Sequence, residues 1–77
     1  MANYDQLLDA SGLSCPMPLL KMKQALHKLS ANETLLVKAS DPGSLRDFEA
    51  YIKLTPHHMT HELRDGVYLY LITKVEQ

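Results

Sequence analysis

Ser14-Cys15-Pro16-Met17-Pro18-Leu19 is the stretch on which the reading of this chain turns. It holds the only cysteine, followed closely by two of the four prolines. Proline is tolerated at the first positions of a helix, where backbone N–H groups lack intrahelical partners, and it pushes the residue before it toward extended geometry. The stretch therefore predicts the joint between an extended segment and a helix. Cys15 is a candidate N-cap or near-cap, with its sulfur beside the N–H groups of Met17 and Leu19. A second placement stays open: Pro18 disfavours helical geometry at Met17, so the helix could begin there and leave Cys15 in the preceding loop. A helix N-terminus favours an anion, and no Asp or Glu stands in the first turn, so Cys15 is expected to titrate below the ordinary cysteine value. The plainer alternative is a small apolar residue packed at a strand-to-helix joint.

Working outward, Tyr4 to Ala10 reads as a short strand centred on Leu7 and Leu8, and Ser11-Gly12 as a turn. From Pro18 to Leu29, apolar residues recur at Leu19, Met22, Leu26 and Leu29, one face of a helix. Lys21, Lys23, Gln24, His27 and Lys28 fill the remainder, the last two near the helix C-terminus, where positive charge is favoured. Glu33 to Ser40 alternates, with Leu35, Val37 and Ala39 on one face. Asp41-Pro42 then signals a second helix, and Ser44 with Asp47 forms a competing capping box. Leu45, Phe48 and Ile52 supply that helix's apolar face, which ends near Leu54-Thr55-Pro56. Thr60–Arg64 and Val67–Lys74 read as strands joined by Asp65-Gly66, a strong hairpin signal. The two-residue turn places Leu63, Tyr68, Tyr70 and Ile72 on one sheet face, taken as the inner one. Glu62, Arg64, Val67, Leu69 and Leu71 fall on the other, with Leu69 and Leu71 as candidate docking residues.

The element order is β-α-β-α-β-β. Two helical stripes need a common surface to cover, which predicts a two-layer α/β sandwich: a four-stranded mixed sheet with both helices on one face and the strand–helix–strand units parallel. The 77 residues are expected to form a single domain. Hydrophobic content of 45% with 22% charged residues reads as globular, and a net charge of −1 gives no whole-chain case for nucleic-acid or membrane binding. A lone cysteine excludes an internal disulfide framework and suits a reducing compartment. No apolar run approaches a membrane span, and the start of the chain does not read as a signal peptide, so a cytoplasmic protein is expected.

Leu8-Asp9-Ala10-Ser11-Gly12-Leu13-Ser14-Cys15-Pro16-Met17-Pro18 resembles the signature of the TusA/SirA-like sulfur-carrier family: a first strand, Gly-Leu, then Cys-Pro-x-Pro opening a helix. The resemblance continues through Glu33-Thr34-Leu35-Leu36-Val37, Asp41-Pro42, Arg46-Asp47, His61-Glu62-Leu63 and the Asp65-Gly66 hairpin. It implies the same β-α-β-α-β-β sandwich. It also implies that Cys15 accepts persulfide sulfur from a cysteine desulfurase or rhodanese-like donor and passes it to a downstream acceptor protein, as in tRNA 2-thiouridine synthesis or other sulfur metabolism. Such a chain is a sulfurtransferase-type carrier rather than an independent turnover enzyme, with no cofactor and no direct contact with nucleic acid or membrane. Pro16, Met17, Pro18 and Leu19 are expected to form an apolar rim around the thiol. Lys21, Asp41, Arg46 and Asp47 are candidate partner contacts, although Arg46 and Asp47 are most simply a charge pair on a helix surface. The chain departs from the family pattern at Glu49, where proline is common, at Thr60, where glycine is common, and in a longer stretch from Leu54 to Thr60.

That stretch brings His57-His58-Met59-Thr60-His61, but no Cys-x-x-Cys or His-Glu-x-x-His pattern accompanies it, and adjacent histidines point apart. No metal is assigned. Tyr68 and Tyr70 are assigned to the core rather than to base stacking. Two rival functions stay in view: a non-catalytic interaction or regulatory module, and a thiol redox sensor in which oxidised Cys15 forms an intermolecular disulfide.

Overall fold

The computed structural model describes residues 4–75. Six elements follow one another: β1 (Gln6–Asp9), α1 (Met17–Lys28), β2 (Thr34–Ala39), α2 (Ser44–Ile52), β3 (His58–Arg64) and β4 (Val67–Thr73). The four strands form one sheet in the order β1-β2-β4-β3. β1 runs parallel to β2, whereas β4 is antiparallel to both of its neighbours, so β2 and β3 share a direction on either side of it. This is the mixed two-layer α/β sandwich that the element order implies.

Alternation decides which face is covered. On β2, Leu35, Val37 and Ala39 are fully buried; on β4, Tyr70 and Ile72 are. Met22 and Leu26 of α1 and Phe48 of α2 pack into the same cluster, so both helices cover one face of the sheet. Phe48 and Tyr70 meet with ring centroids 4.3 Å apart, and Tyr68 stacks on Tyr70 at 6.1 Å. Replacing a ring such as Phe48 by alanine typically costs about 3–5 kcal/mol, a large share of the stability of a small domain. The open face carries a stripe that crosses three strands, Leu7 beside Leu36 beside Leu71.

The hairpin register has Arg64 opposite Val67, Leu63 opposite Tyr68 and His61 opposite Tyr70. Its turn places Asp65 at φ 53° and Gly66 at φ 80°, the paired left-handed geometry that a tight hairpin demands and that Asp-Gly accommodates at low cost.

Several expectations need correction. Leu63 lies on the inner side by register but is 59% exposed, next to the hairpin turn at the end of edge strand β3. β3 starts at His58 rather than Thr60, since Met59 pairs with Ile72 and packs against the core. Helix α2 ends at Ile52, short of Leu54, which is 85% exposed and has no core to cover. The Ser44–Asp47 capping box is not made: Gly43 occupies the cap position without a side-chain hydrogen bond, and the Ser44 hydroxyl is spent elsewhere.

Candidate functional site around Cys15

The chain leaves β1 through Ala10, whose N–H donates to the Lys38 carbonyl at 2.8 Å and whose side chain is buried. Ser11 N–H then donates to the Asp9 carboxylate at 3.0 Å, and Gly12 takes φ 84°, a conformation that suits glycine. Gly12 N–H donates to the Ser40 hydroxyl at 2.8 Å, tying this loop to the end of β2. The loop is therefore held at two points before it delivers Cys15 to the opening of α1.

Helix α1 starts at Met17, with Pro16 at the cap position. Of the two placements the sequence left open, the structure has Cys15 just outside the helix, one residue before the cap. The thiol is exposed. Met17 N–H is already engaged by the Ser14 carbonyl at 2.8 Å, so it is not free for the sulfur. The first turn of α1 carries no acidic residue, as the sequence shows.

A carboxylate nevertheless reaches the sulfur, and it comes from the other helix. The Cys15 thiol donates to Asp47 Oδ2 at 2.8 Å. This contact is the main reason the thiol titrates above its ordinary value. Desolvation adds to it, as do the negative charges of Asp47 and Asp41, against a small opposing effect of Arg46. The expectation of a depressed cysteine value is thus overturned. Partial charge at one helix end is outweighed by a full charge in hydrogen-bond contact, which stabilises the protonated form as acceptor and repels the thiolate.

The geometry behind that contact is set by α2. The backbone at Gly43 passes so near the thiol that a Cβ there would stand 4.0 Å from Cys15 Cβ and 3.1 Å from Asp41 Oδ2. Asp47 follows one turn into the helix, with its N–H on the Gly43 carbonyl at 3.2 Å. The helix is in turn anchored at its first residue: the Ser44 hydroxyl, 1% exposed, meets the Tyr70 hydroxyl at 2.6 Å in the core. Asp41 Oδ2 is buried and has no hydrogen-bond partner among the described residues. Arg46 is directed outward, with its Nε 3.9 Å from Asp47 Oδ1 and 84% of its side chain exposed. Asp47 is thus more than half of a surface pair, and its engagement with the thiol is what residue-by-residue reading of the sequence missed. The capping-box pattern drew attention to Asp47 for a different partner.

The remaining candidates divide. Pro16 and Met17 are exposed beside the thiol, but Pro18, in the first turn of α1, is buried and Leu19 packs against the core, so these two do not contribute to a rim. Leu20, 44% exposed and three residues on from the 40% exposed Met17, extends the apolar surface instead. The lysines of α1 do not share one face: Lys21 and Lys28 line a groove against β1, while Lys23 lies over the Tyr51 ring at 4.9 Å. His57 accepts the Val75 N–H at 3.1 Å, and His58 points elsewhere as an exposed strand residue. Among the described residues no group of three or more His, Cys, Asp or Glu is placed to hold a metal ion.

A family model described as "Sulfurtransferase TusA" matches residues 6–74, nearly the whole chain. The chain belongs to the TusA family. It is 42% identical over 74 residues to the sulfur carrier protein TusA of Allochromatium vinosum, covering 96% of this chain and 97% of that one. It is 37% identical over 62 residues to the putative sulfur carrier protein YrkI of Bacillus subtilis, covering 80% of this chain and 83% of the relative. A crystal structure of a SirA-like protein from Desulfitobacterium hafniense superimposes with a TM-score of 0.83 over 94% of this chain and 100% of the other, at 24% identity, which speaks for the fold alone. The β-α-β-α-β-β order agrees with that family match and with the fold of the SirA-like neighbour.

Proposed function

We propose that this protein is a sulfur-relay carrier. Cys15 accepts persulfide sulfur from a cysteine desulfurase or rhodanese-like donor and hands it to a downstream acceptor protein, in tRNA 2-thiouridine synthesis or another branch of sulfur metabolism in the cytoplasm. The observation that carries this reading is an exposed thiol held out at the opening of α1, in a chain whose relatives are named sulfur carriers. Exposure matters because the sulfur must be reached by two different proteins in turn. In loading, Cys15 sulfur attacks the terminal sulfur of the donor persulfide; the new S–S bond forms on Cys15 while the donor's own S–S bond breaks. Cys15 sulfur is oxidised and the donor cysteine sulfur is reduced to the same extent, so no outside oxidant is consumed. The apolar surface of Pro16, Met17 and Leu20 fits a partner cleft that excludes water from the exchange.

The redox-sensor alternative is disfavoured by the Asp47 contact. Sensor cysteines are accessible and acidic, whereas this thiol is accessible but held protonated. Incubation with a desulfurase and free cysteine tests the carrier reading. The intact protein should gain the mass of one sulfur atom, and Cys15→Ser should gain none. A wild-type protein that stays unloaded under conditions that load another carrier overturns the reading. Unchanged partner binding by an unloadable Cys15→Ser chain would point to an interaction module instead.

A further inference from the structure

We propose that Asp47 is the residue that keeps the empty carrier inert: its carboxylate holds Cys15 as a neutral thiol and takes that proton when the sulfur attacks. The inference deepens the carrier reading and rests on it for the attack step, but its first half is a statement about Cys15 and Asp47 alone. Its basis is geometric. Among the described residues, the only carboxylate in hydrogen-bond contact with the sulfur is Asp47 Oδ2, at 2.8 Å. It arrives from α2, whose first residue is bonded to the central strand β4 through Ser44 and Tyr70. Among the described residues, three charged side chains act on the sulfur: Asp47 and Asp41 favour the proton, and Arg46 weakly opposes it. The first turn of α1 adds no acidic group, so Asp47 and Asp41 are the source of the negative field.

The chemistry follows atom by atom. In the empty carrier the Sγ–H bond is intact and donates to Asp47. When Cys15 attacks a donor persulfide R–S–SH, the proton passes from Sγ to Oδ2 and the freed electron pair forms the Sγ–S bond. The donor S–S bond breaks with its pair on the donor sulfur, which takes a proton from solvent as Asp47 Oδ2 releases its own. The sum is Cys15–SH plus R–S–SH giving Cys15–S–SH plus R–SH. The product has no hydrogen on Sγ, so this particular contact belongs to the empty state and loading abolishes it. The same feature shields the resting thiol: peroxide and alkylating agents react with thiolate, and the carboxylate keeps the thiolate population low. Once formed, a thiolate of raised basicity is the stronger nucleophile.

The test compares the pH profile of iodoacetamide alkylation of Cys15 in the wild type, Asp47→Asn and Asp47→Glu, each checked for folding by circular dichroism. Asn keeps the size and polarity of the side chain but removes the charge. Its profile should move to lower pH, with alkylation and peroxide oxidation at pH 7 faster by several-fold to about tenfold. The Glu variant should stay close to the wild type. An Asn profile that coincides with the wild type, or moves to higher pH, overturns the proposal. Should the Asn variant not fold, the wild-type profile decides: a midpoint above that of an unstructured cysteine peptide supports the proposal, and one at or below it refutes it. None of these readings requires sulfur loading, so they fail or succeed separately from the desulfurase experiment.

Discussion

The bond between Ser44 and Tyr70 offers a direct test of how the fold positions the site. Both residues are sealed from water, at 1% and 0% exposure, and their hydroxyl oxygens lie 2.6 Å apart. Removing either hydroxyl alone leaves the other buried without a partner, a penalty of about 1–3 kcal/mol. Removing both leaves nothing to desolvate, so Ser44→Ala combined with Tyr70→Phe should cost well under the sum of the single changes, with a coupling of about 1–3 kcal/mol. Urea unfolding followed by circular dichroism reads this directly. At roughly 1–1.5 kcal/mol per molar urea for a chain of this size, each single variant should lose about 0.7–3 M from its midpoint, and the double variant should recover much of that loss. Additive losses, with the double variant as weak as the two singles combined, would refute the bond. The same variants bear on chemistry: because Asp47 stands one turn beyond Ser44, loosening this anchor in Ser44→Ala should broaden or shift the alkylation profile of Cys15.

Two further predictions concern the other end of the molecule. Lys74 Nζ donates to the Leu29 carbonyl at 2.7 Å and the His27 carbonyl at 3.3 Å, closing the C-terminal end of α1; Lys74→Met should cost about 1 kcal/mol, lowering the melting temperature by about 4–8 °C, and an unchanged melting curve would show that water replaces the bond without loss. Burial first, and then the charge of Lys74, hold His57 below its ordinary value of 6.5. A depressed folded-state value means that the unfolded chain takes the proton first, so the stability contributed by neutral His57 is complete above pH 6.5 and is lost as pH falls through the folded value. The urea midpoint should therefore drop between pH 7.5 and 5.5 more in the wild type than in His57→Asn, whose amide oxygen accepts the Val75 N–H without titrating; equal drops would remove His57 from the acid response.

The parts of this structure that were legible in the sequence are those set by local periodicity and turn chemistry. The 3–4 spacing of Met22 and Leu26, the alternation of Leu35, Val37 and Ala39, and Asp65-Gly66 between two strands each specify an element and the face it buries. Their order then leaves few ways to cover two helical stripes. The cysteine's place at a strand-to-helix joint was legible for the same reason, through the restrictions that Pro16 and Pro18 impose on their neighbours. What was not legible is everything that depends on how close the two helices come. Asp47 lies 32 residues from Cys15, and no pattern within either segment brings them together. The α1 dipole and the absence of acidic residues from its first turn are local terms, and they have the opposite sign to the contact that dominates. Pro18 and Leu19 misled in a similar way, since membership of the motif says nothing about which side of α1 faces the sheet.

The Ser44–Tyr70 bond gives the interior of the sheet a say in the acidity of an atom on the surface. A helix pinned to an inner strand carries the carboxylate that sets the thiol, so repacking around the tyrosine ring retunes sulfur reactivity without altering any exposed residue beside the thiol. Differences in thiol reactivity between proteins of this fold can therefore originate in their hydrophobic cores, where a comparison restricted to surface residues would not look for them.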